Sequence, residues 1–275
     1  MKRPSLRLGW AGLGLLGVAL TGVLLLSLQR PPGPIGTESP EPLLAGASPF
    51  DHLVMVATPT ASGPGSGTAF SVGANGVWLT ARHVVEGCGR VVLVVAPGHG
   101  VLAQVRTYGV GETAVLITQG GSAPLSPEPP GDLRRHAWAY HLGYPGGRPG
   151  EATSRLIGRE TLVEHGRRLS VVPVLVWSQQ GASARTPANL AGISGAPALD
   201  DQGRVIGVTI AQAERQAHII TTTPHALRIA LARAGVRTQP GLIGPATPIN
   251  SQTYAAVANT MRKSLRIVPV ACLAR

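Results

Sequence analysis

Short apolar runs separated by turn-forming residues fill the chain from residue 50 to residue 118. Each run has the length of a strand, and the Asn75–Gly76 pair between two of them favours a tight hairpin turn. The predicted strands are 53–57, 67–72, 76–80, 91–95, 101–105 and 113–118. This spacing predicts a small antiparallel barrel or sandwich.

A second set of short runs follows a connection at 119–135 that has no apolar period. Its predicted strands are 137–142, 154–157, 169–176, 198–199, 205–210 and 218–221. A helix is then predicted at 224–234, because Thr223 is a good N-cap, Pro224 suits the first helical position and Gly235 follows the end. Beyond a linker at 239–248, the pattern predicts another helix at 252–265 and then the segment that carries Cys272.

The first 30 residues have the pattern of a membrane segment rather than of a folded domain. Lys2, Arg3 and Arg7 precede an uncharged run at 8–28, long enough to cross a bilayer as a helix. Positive charge before the run places the N-terminus in the cytoplasm and the rest of the chain outside. A cleaved signal peptide is the alternative, although its apolar region is usually shorter. Residues 31–49 are rich in Pro, Gly and Ser and are predicted to form a linker.

Charge and cysteine usage narrow the functional classes. The formal net charge is +11, which by itself would suit nucleic acid or anionic lipid. The basic residues are scattered, however, and aromatic residues make up only 4%, too few for base-stacking surfaces. Nucleic acid is therefore not an expected partner. In an oxidising compartment Cys88 and Cys272 would form a disulfide, the alternative being two unrelated thiols.

The stretch at 190–208 is the strongest candidate for chemistry. Ser194 lies among small residues and is followed by a polar turn and an apolar strand. Small residues let backbone N–H groups approach a substrate carbonyl, and two such groups form an oxyanion hole. We therefore expect Ser194 to be a nucleophile and the N–H groups of Gly192 and Ser194 to line the hole. The alternative is a tight turn before a hairpin.

A serine hydroxyl needs a neighbouring base, and the chain has eight histidines to supply one. His83 follows a predicted strand in a short turn between two apolar runs, a position from which catalytic side chains often project. The order histidine, acid, serine is also that of one convergent triad design.

Five segments resemble motifs of the trypsin-like serine peptidases, especially the bacterial HtrA/Deg branch. They are G-S-G-T-A-F at 65–70, T-A-R-H-V-V at 80–85, E-T-A-V-L at 112–116, G-Y-P-G at 143–146 and G-I-S-G-A-P at 192–197. The resemblance implies an all-β domain at 50–236 with two six-stranded antiparallel barrels, at about 50–120 and 135–225, and the active site between them. The helix at 224–234 would close this domain. Residues 237–275 would be a C-terminal extension with a helix, and no segment resembles a PDZ module.

The resemblance also assigns roles. Glu112 occupies the place of the family's aspartate and would orient His83, with Asp132 as a second candidate. Ala196 replaces the family's second glycine after the serine, and Ile193 replaces the usual polar residue before it. The substrate pocket would be neutral and suited to a small or medium apolar side chain. Its residues would be Ala188, Ala211, Gln212 and His218.

These observations predict a serine endopeptidase that is anchored in a bacterial inner membrane and faces the periplasm. Its partner would be a polypeptide substrate, and no metal or cofactor is implied. Two alternatives remain open: a non-catalytic binding module that keeps the double barrel, and an envelope scaffold that acts through its tail at 251–275.

Overall fold

The computed structural model describes residues 41–54, 66–108, 111–126, 131, 133–164, 170–213, 217–236 and 248–274. Thirteen strands and three α-helices form the described part of the chain. In chain order the strands are β1 Leu53–Val54, β2 Ser66–Gly73, β3 Val77–Ala81, β4 Arg90–Ala96, β5 His99–Tyr108, β6 Thr113–Ile117, β7 Trp138–Gly143, β8 Gly150–Glu164, β9 Ser170–Ala182, β10 Pro197–Leu199, β11 Val205–Ala213, β12 His218–Thr222 and β13 Ile267–Leu273. The helices are α1 Arg82–Val85, α2 Pro224–Arg233 and α3 Tyr254–Lys263.

Two six-stranded antiparallel barrels make up the architecture, as the resemblance implied. The first barrel is closed in the order β13-β2-β3-β6-β5-β4. The second runs β8-β7-β10-β11-β12-β9 and closes through pairing of β8 with β9. Strand β1 pairs in parallel with β8 at the edge of the second barrel, although the sequence had placed the run at 53–57 in the first. Two barrels without open edges leave a cleft between them in which loops from both can meet.

Each barrel is filled by the inward-facing residues of its strands. In β4 the buried residues Val91 and Leu93 alternate with more exposed neighbours, the period expected of a half-buried strand. Phe70 and Leu116 are fully buried in the first barrel, as are Leu156 and Trp177 in the second. Burying one such side chain contributes about 1.5–3 kcal/mol relative to leaving it exposed, so these two cores stabilise the barrels that carry the loops of the site.

The sixth strand of the first barrel is β13, from the segment that the sequence assigned to a C-terminal extension. It inserts between β2 and β4, with Val270 opposite both Gly67 and Leu93. Pro269 lies within the strand and weakens its sequence signal, since proline lacks an N–H for strand pairing. Local patterning also cannot show that a strand pairs with partners more than 150 residues earlier. The first barrel therefore comprises more than residues 50–120.

Both predicted helices are found. The hydroxyl of Thr223 accepts the N–H of Ala226 at 3.2 Å and caps α2, and Gly235 lies just beyond its end with φ +70°. Helix α3 lies within the predicted range 252–265. None of the helices in the described residues is long and apolar enough to cross a membrane. The predicted anchor at 1–30 and the linker up to residue 40 lie outside the described residues, so the anchor stays a prediction.

Candidate active site

His83 enters the cleft from α1, a single helical turn that begins directly after β3. Val84 and Val85 point into the core of the first barrel and fix this turn by packing. The His83 side chain faces the other way and keeps 11% of its surface exposed. The turn is also tied to the acid-bearing loop, because the N–H of Arg82 donates to the carbonyl oxygen of Glu112 at 3.1 Å.

The Glu112 carboxylate lies against the His83 ring. Its Oε2 is 2.6 Å from Nδ1 of His83 and also accepts the backbone N–H of His83 at 3.3 Å. Glu112 precedes β6 and is 5% exposed, so this contact is shielded from water. A carboxylate on Nδ1 favours the tautomer with its proton there and leaves Nε2 able to accept one. The second candidate, Asp132, lies outside the described residues.

Ser194 lies in the turn between Leu190 and β10, within the cleft. Its hydroxyl donates to the carbonyl oxygen of Ile210 on β11 at 2.7 Å. Within the described residues no hydrogen bond joins the Ser194 hydroxyl to His83. The structure therefore brings His83 and Glu112 into contact, while the nucleophile candidate is bonded to the second barrel.

In the turn at 191–196, four backbone N–H groups donate hydrogen bonds to described residues and two do not. The N–H of Ala191 donates to Asn189 Oδ1, and the N–H of Ile193 donates to the carbonyl oxygen of Leu190. The N–H of Gly195 donates to the carbonyl oxygen of Thr209, and the N–H of Ala196 donates to the carbonyl oxygen of Ile193. The N–H groups of Gly192 and Ser194 donate to no acceptor within the described residues. Gly192 and Ser194 are each partly exposed, so their N–H groups are open to water or to a ligand in the cleft. They are the same two N–H groups that are predicted from the sequence to line an oxyanion hole.

The departures from the family motif fit this turn. Gly195 has φ +88°, and a Cβ at this position would collide with the carbonyl oxygen of Thr68, so glycine is required. Ala196 is fully buried, and its methyl group packs with the second-barrel core. Ile193 is 1% exposed and packs into the same core. Apolar packing thus fixes the turn where a polar anchor is missing.

The predicted pocket residues are only partly brought together. Gln212 accepts the N–H of Leu190 at 2.9 Å through Oε1 and donates to Gln179 at 3.0 Å, which ties β11 to the base of the turn. Ala211 precedes it on β11, and His218 pairs with Ala213 at the start of β12. Ala188 is exposed in the loop before the turn. The structure thus places Ala211, Gln212 and His218 on adjacent strands and Ala188 on a surface loop.

A cavity of about 250 Å³ lies beside Glu112, between the loop before β6, strands β9 and β11 of the second barrel, and the start of α2. Its lining includes Glu112, Val172, Ile210 and His225. Among the described residues, no group of three or more His, Cys, Asp or Glu side chains is placed to hold a metal ion.

A family model described as a trypsin-like peptidase domain matches residues 67–208, which include His83, Glu112 and Ser194. This chain belongs to the trypsin-like peptidase family. It is 32% identical over 151 residues to HhoA of Synechocystis, a candidate serine protease, and the match covers 54% of this chain. The same match spans only 37% of the length of HhoA.

The solved structures that this trypsin-like peptidase matches include two bacterial proteases. The active form of the Rv3671c protease from M. tuberculosis has a TM-score of 0.48 and 19% identity, covering 73% of this chain and 96% of that one. The MamO protease domain from Magnetospirillum magneticum has a TM-score of 0.46 and 16% identity, covering 62% of this chain and 96% of that one.

The cysteines of this peptidase are joined. Cys88, just after α1, and Cys272 on β13 form a disulfide with a Cα–Cα distance of 5.3 Å. The bridge fastens the last strand of the first barrel beside the turn that carries His83.

A histidine that the sequence did not single out lies beneath residues 191–196, the nucleophile turn. His141 on β7 is fully buried, and burial lowers its pKa to about 3. Its Nε2 lies 2.7 Å from the hydroxyl of Ser154, and its Nδ1 lies 3.0 Å from that of Thr209. The backbone of Thr209 in turn bonds Gly195 and Ala196. The G-Y-P-G segment begins two residues after His141, but only the three-dimensional contacts distinguish this histidine from the others.

Proposed function

We propose that this chain is a serine endopeptidase in which Ser194, His83 and Glu112 form the catalytic triad. The observation that carries the proposal is that the N–H groups of Gly192 and Ser194 donate to no acceptor among the described residues. Both groups lie at the candidate nucleophile. Family membership and the contact between Glu112 and His83 support the same assignment.

The reaction begins when the Ser194 hydroxyl leaves the Ile210 carbonyl by rotating about its Cα–Cβ bond. It then donates to Nε2 of His83 and attacks the scissile carbonyl carbon, and the proton passes to that nitrogen. The negative oxygen of the tetrahedral intermediate accepts the N–H groups of Gly192 and Ser194. Such preorganised donors are often the largest single contribution to acyl transfer.

Collapse of the intermediate breaks the carbon–nitrogen bond, and His83 gives its proton to the departing amine. An acyl group remains on the Ser194 oxygen. Water then attacks the acyl carbon and gives a proton to His83. The bond between the acyl carbon and the Ser194 oxygen breaks, His83 returns the proton to that oxygen, and the acid product leaves. Glu112 stabilises the imidazolium in both halves through its contact with Nδ1, and no cofactor enters any step.

The cellular setting is part of the proposal. The uncharged run at 8–28, preceded by Lys2, Arg3 and Arg7, would anchor the protein in the inner membrane with the peptidase domain in the periplasm. A disulfide between Cys88 and Cys272 suits an oxidising compartment of this kind. The substrate would be a polypeptide that enters the cleft from the periplasmic side.

A second candidate function is a non-catalytic module that binds a peptide in the same cleft. The observation that favours it is the bond from the Ser194 hydroxyl to Ile210, which leaves the serine directed away from its base.

A fluorophosphonate probe on the full-length chain tests the proposal, because this reagent phosphonylates only an activated serine. The wild type should be labelled, Ser194→Ala should not, and His83→Ala should react at least about a thousandfold more slowly. Ser251→Ala, which removes an exposed serine, should be labelled like the wild type. Absence of labelling in the folded wild type would exclude the peptidase and favour the binding module.

A further inference from the structure

Thr68 connects the first barrel to the nucleophile turn of the second. It is fully buried on β2, and its backbone N–H donates to the carbonyl oxygen of Ser194 at 2.8 Å. Its hydroxyl donates to the carbonyl oxygen of Gly192 at 3.0 Å and accepts the backbone N–H of Tyr144 at 3.0 Å. We infer that Thr68 is a positioning residue that holds the oxyanion hole in its working conformation. This inference rests on the proposed function.

Gly192 is the weak point of the hole. Its φ of +94° belongs to a region that glycine enters at little cost, so the peptide units on either side of it can rotate unless they are held. The unit before it is held by the N–H of Gly146, which donates to the carbonyl oxygen of Ala191 at 2.6 Å. The unit after it is held at its carbonyl oxygen by the hydroxyl of Thr68 and at its N–H by the carbonyl oxygen of Leu190, which accepts from Ile193 at 2.8 Å. With both carbonyl oxygens bonded, the N–H of Gly192 stays directed at the position of the oxyanion.

Thr68 is itself fixed from several sides. Its carbonyl oxygen accepts the hydroxyl of Thr80 at 2.7 Å, which locks the backbone of β2 at this residue. A β-branched side chain has few χ1 rotamers, so the hydroxyl is preset for its two partners. The single proton goes to Gly192, and the oxygen lone pairs remain for the N–H of Tyr144. This buried hydroxyl is thus bonded to Gly192 in the nucleophile turn and to Tyr144 in the loop after β7.

Any residue with a backbone N–H at position 68 can donate to the carbonyl oxygen of Ser194, but the bond to the carbonyl oxygen of Gly192 requires a side-chain hydroxyl. Thr68→Val and Thr68→Ser separate the two contributions, since valine keeps the shape and serine keeps the hydroxyl. The expected effect is on the chemical step rather than on binding of the reagent.

The test is the kinetics of fluorophosphonate labelling on the full-length chain, resolved into a binding constant and a maximal rate. Removing a whole oxyanion donor costs about a hundredfold to a thousandfold, so misdirecting one donor in Thr68→Val should lower the maximal rate about tenfold to a hundredfold. The binding constant should change less than threefold, and Thr68→Ser should stay within about threefold of the wild type.

Ser71→Ala is the matched control. Ser71 lies on the same strand, is fully buried, and donates its hydroxyl to the carbonyl oxygen of Ser122 at 2.9 Å, away from the nucleophile turn. It should lose stability much as Thr68→Val does and yet be labelled at the wild-type rate. All rates are measured well below each variant's melting temperature. If Thr68→Val does not fold, Thr68→Cys, with its weak thiol donor, replaces it and should give an intermediate rate.

Three results would overturn the inference while leaving the peptidase intact: a wild-type rate in Thr68→Val, an equal loss in Thr68→Ser, or an equal loss in Ser71→Ala. If the folded wild type is not labelled at all, it is the proposed function that fails.

Discussion

Arg262 on α3 and Glu151 at the start of β8 form a buried ion pair, in which each side chain is 6% exposed. The guanidinium also donates to the carbonyl oxygens of Gly143 and Gly150 at 2.9 Å each, and it lies 5.3 Å from the centre of the Tyr144 ring. Helix α3 is thereby fastened to the loop whose backbone contacts the nucleophile turn. The C-terminal segment thus supports both barrels, one through β13 and the other through Arg262.

Replacing Arg262 by methionine should destabilise the fold strongly. The Glu151 carboxylate would still accept the Ser183 hydroxyl but would lose its buried cation, and breaking such a pair costs about 3–5 kcal/mol. Urea unfolding measures the loss. The control Lys263→Met removes an exposed cation from the next position of the same helix and should change stability by less than about 0.5 kcal/mol. Equal losses of unfolding free energy in the two variants would show that the buried pair stabilises the fold no more than an exposed cation does.

The pH dependence of stability should reveal His141. Its pKa is about 3 in the folded protein, against an ordinary value of 6.5, because burial disfavours the charged ring. Between these values the unfolded chain binds a proton on His141 that the folded chain does not. The stability that the neutral His141 ring contributes is therefore complete above pH 6.5. It is lost as the pH falls towards 3, by up to about 1.4 kcal/mol per pH unit.

His141→Gln isolates this effect, since the amide is able to bond the hydroxyls of Ser154 and Thr209 without titrating. Unfolding free energies measured from pH 8 to pH 4 should fall less steeply in this variant than in the wild type. His225→Gln, at an exposed position, should follow the wild-type slope. Parallel slopes for His141→Gln and the wild type would mean that the buried ring does not resist protonation.

The elements that local patterning predicts well are those whose signal lies in adjacent residues. The alternation in β4 and the cap, proline and glycine around α2 are of this kind, and both elements are found where expected. Strand β13 was not foreseen, because Pro269 weakens its pattern and its partners lie far away in the chain.

The same distinction holds at the candidate site. The motifs around His83, Glu112 and Ser194 are local, so resemblance finds them. Thr68 meets Gly192 across 124 residues, and Arg262 meets Glu151 across 111. Neither contact leaves a local pattern, since each depends on how the two barrels and the C-terminal segment pack. Thr68 lies within the G-S-G-T-A-F segment at 65–70, so resemblance finds the residue, but its supporting contact emerges only from the fold. The contact of Arg262 likewise emerges only from the fold.

The disulfide between Cys88 and Cys272 should contribute much of the stability of the first barrel. It closes a loop with a sequence separation of 184, for which the chain-entropy model gives about 5 kcal/mol. The double variant Cys88→Ser/Cys272→Ser should therefore melt well below the oxidised wild type, as measured by circular dichroism. Reduced wild type should melt close to the double variant, which serves as the control for the added reductant. A wild type whose melting temperature is the same before and after complete reduction would contradict this expectation.

The glutamate in the acid position should perform better than the family's aspartate in this backbone. Glu112 reaches Nδ1 of His83 at 2.6 Å from a loop that is also held by the N–H of Arg82. Glu112→Asp withdraws the carboxylate by one methylene, and a displacement of about 1 Å costs on the order of a hundredfold in rate. Glu112→Gln keeps the length but offers an amide that favours the wrong tautomer, which costs about ten-thousandfold in the well-studied triad. Fluorophosphonate labelling rates should therefore rank glutamate first, aspartate second and glutamine last. An aspartate variant as fast as the wild type would mean that the loop moves to restore the contact, and that the length of the acid side chain does not limit the reaction.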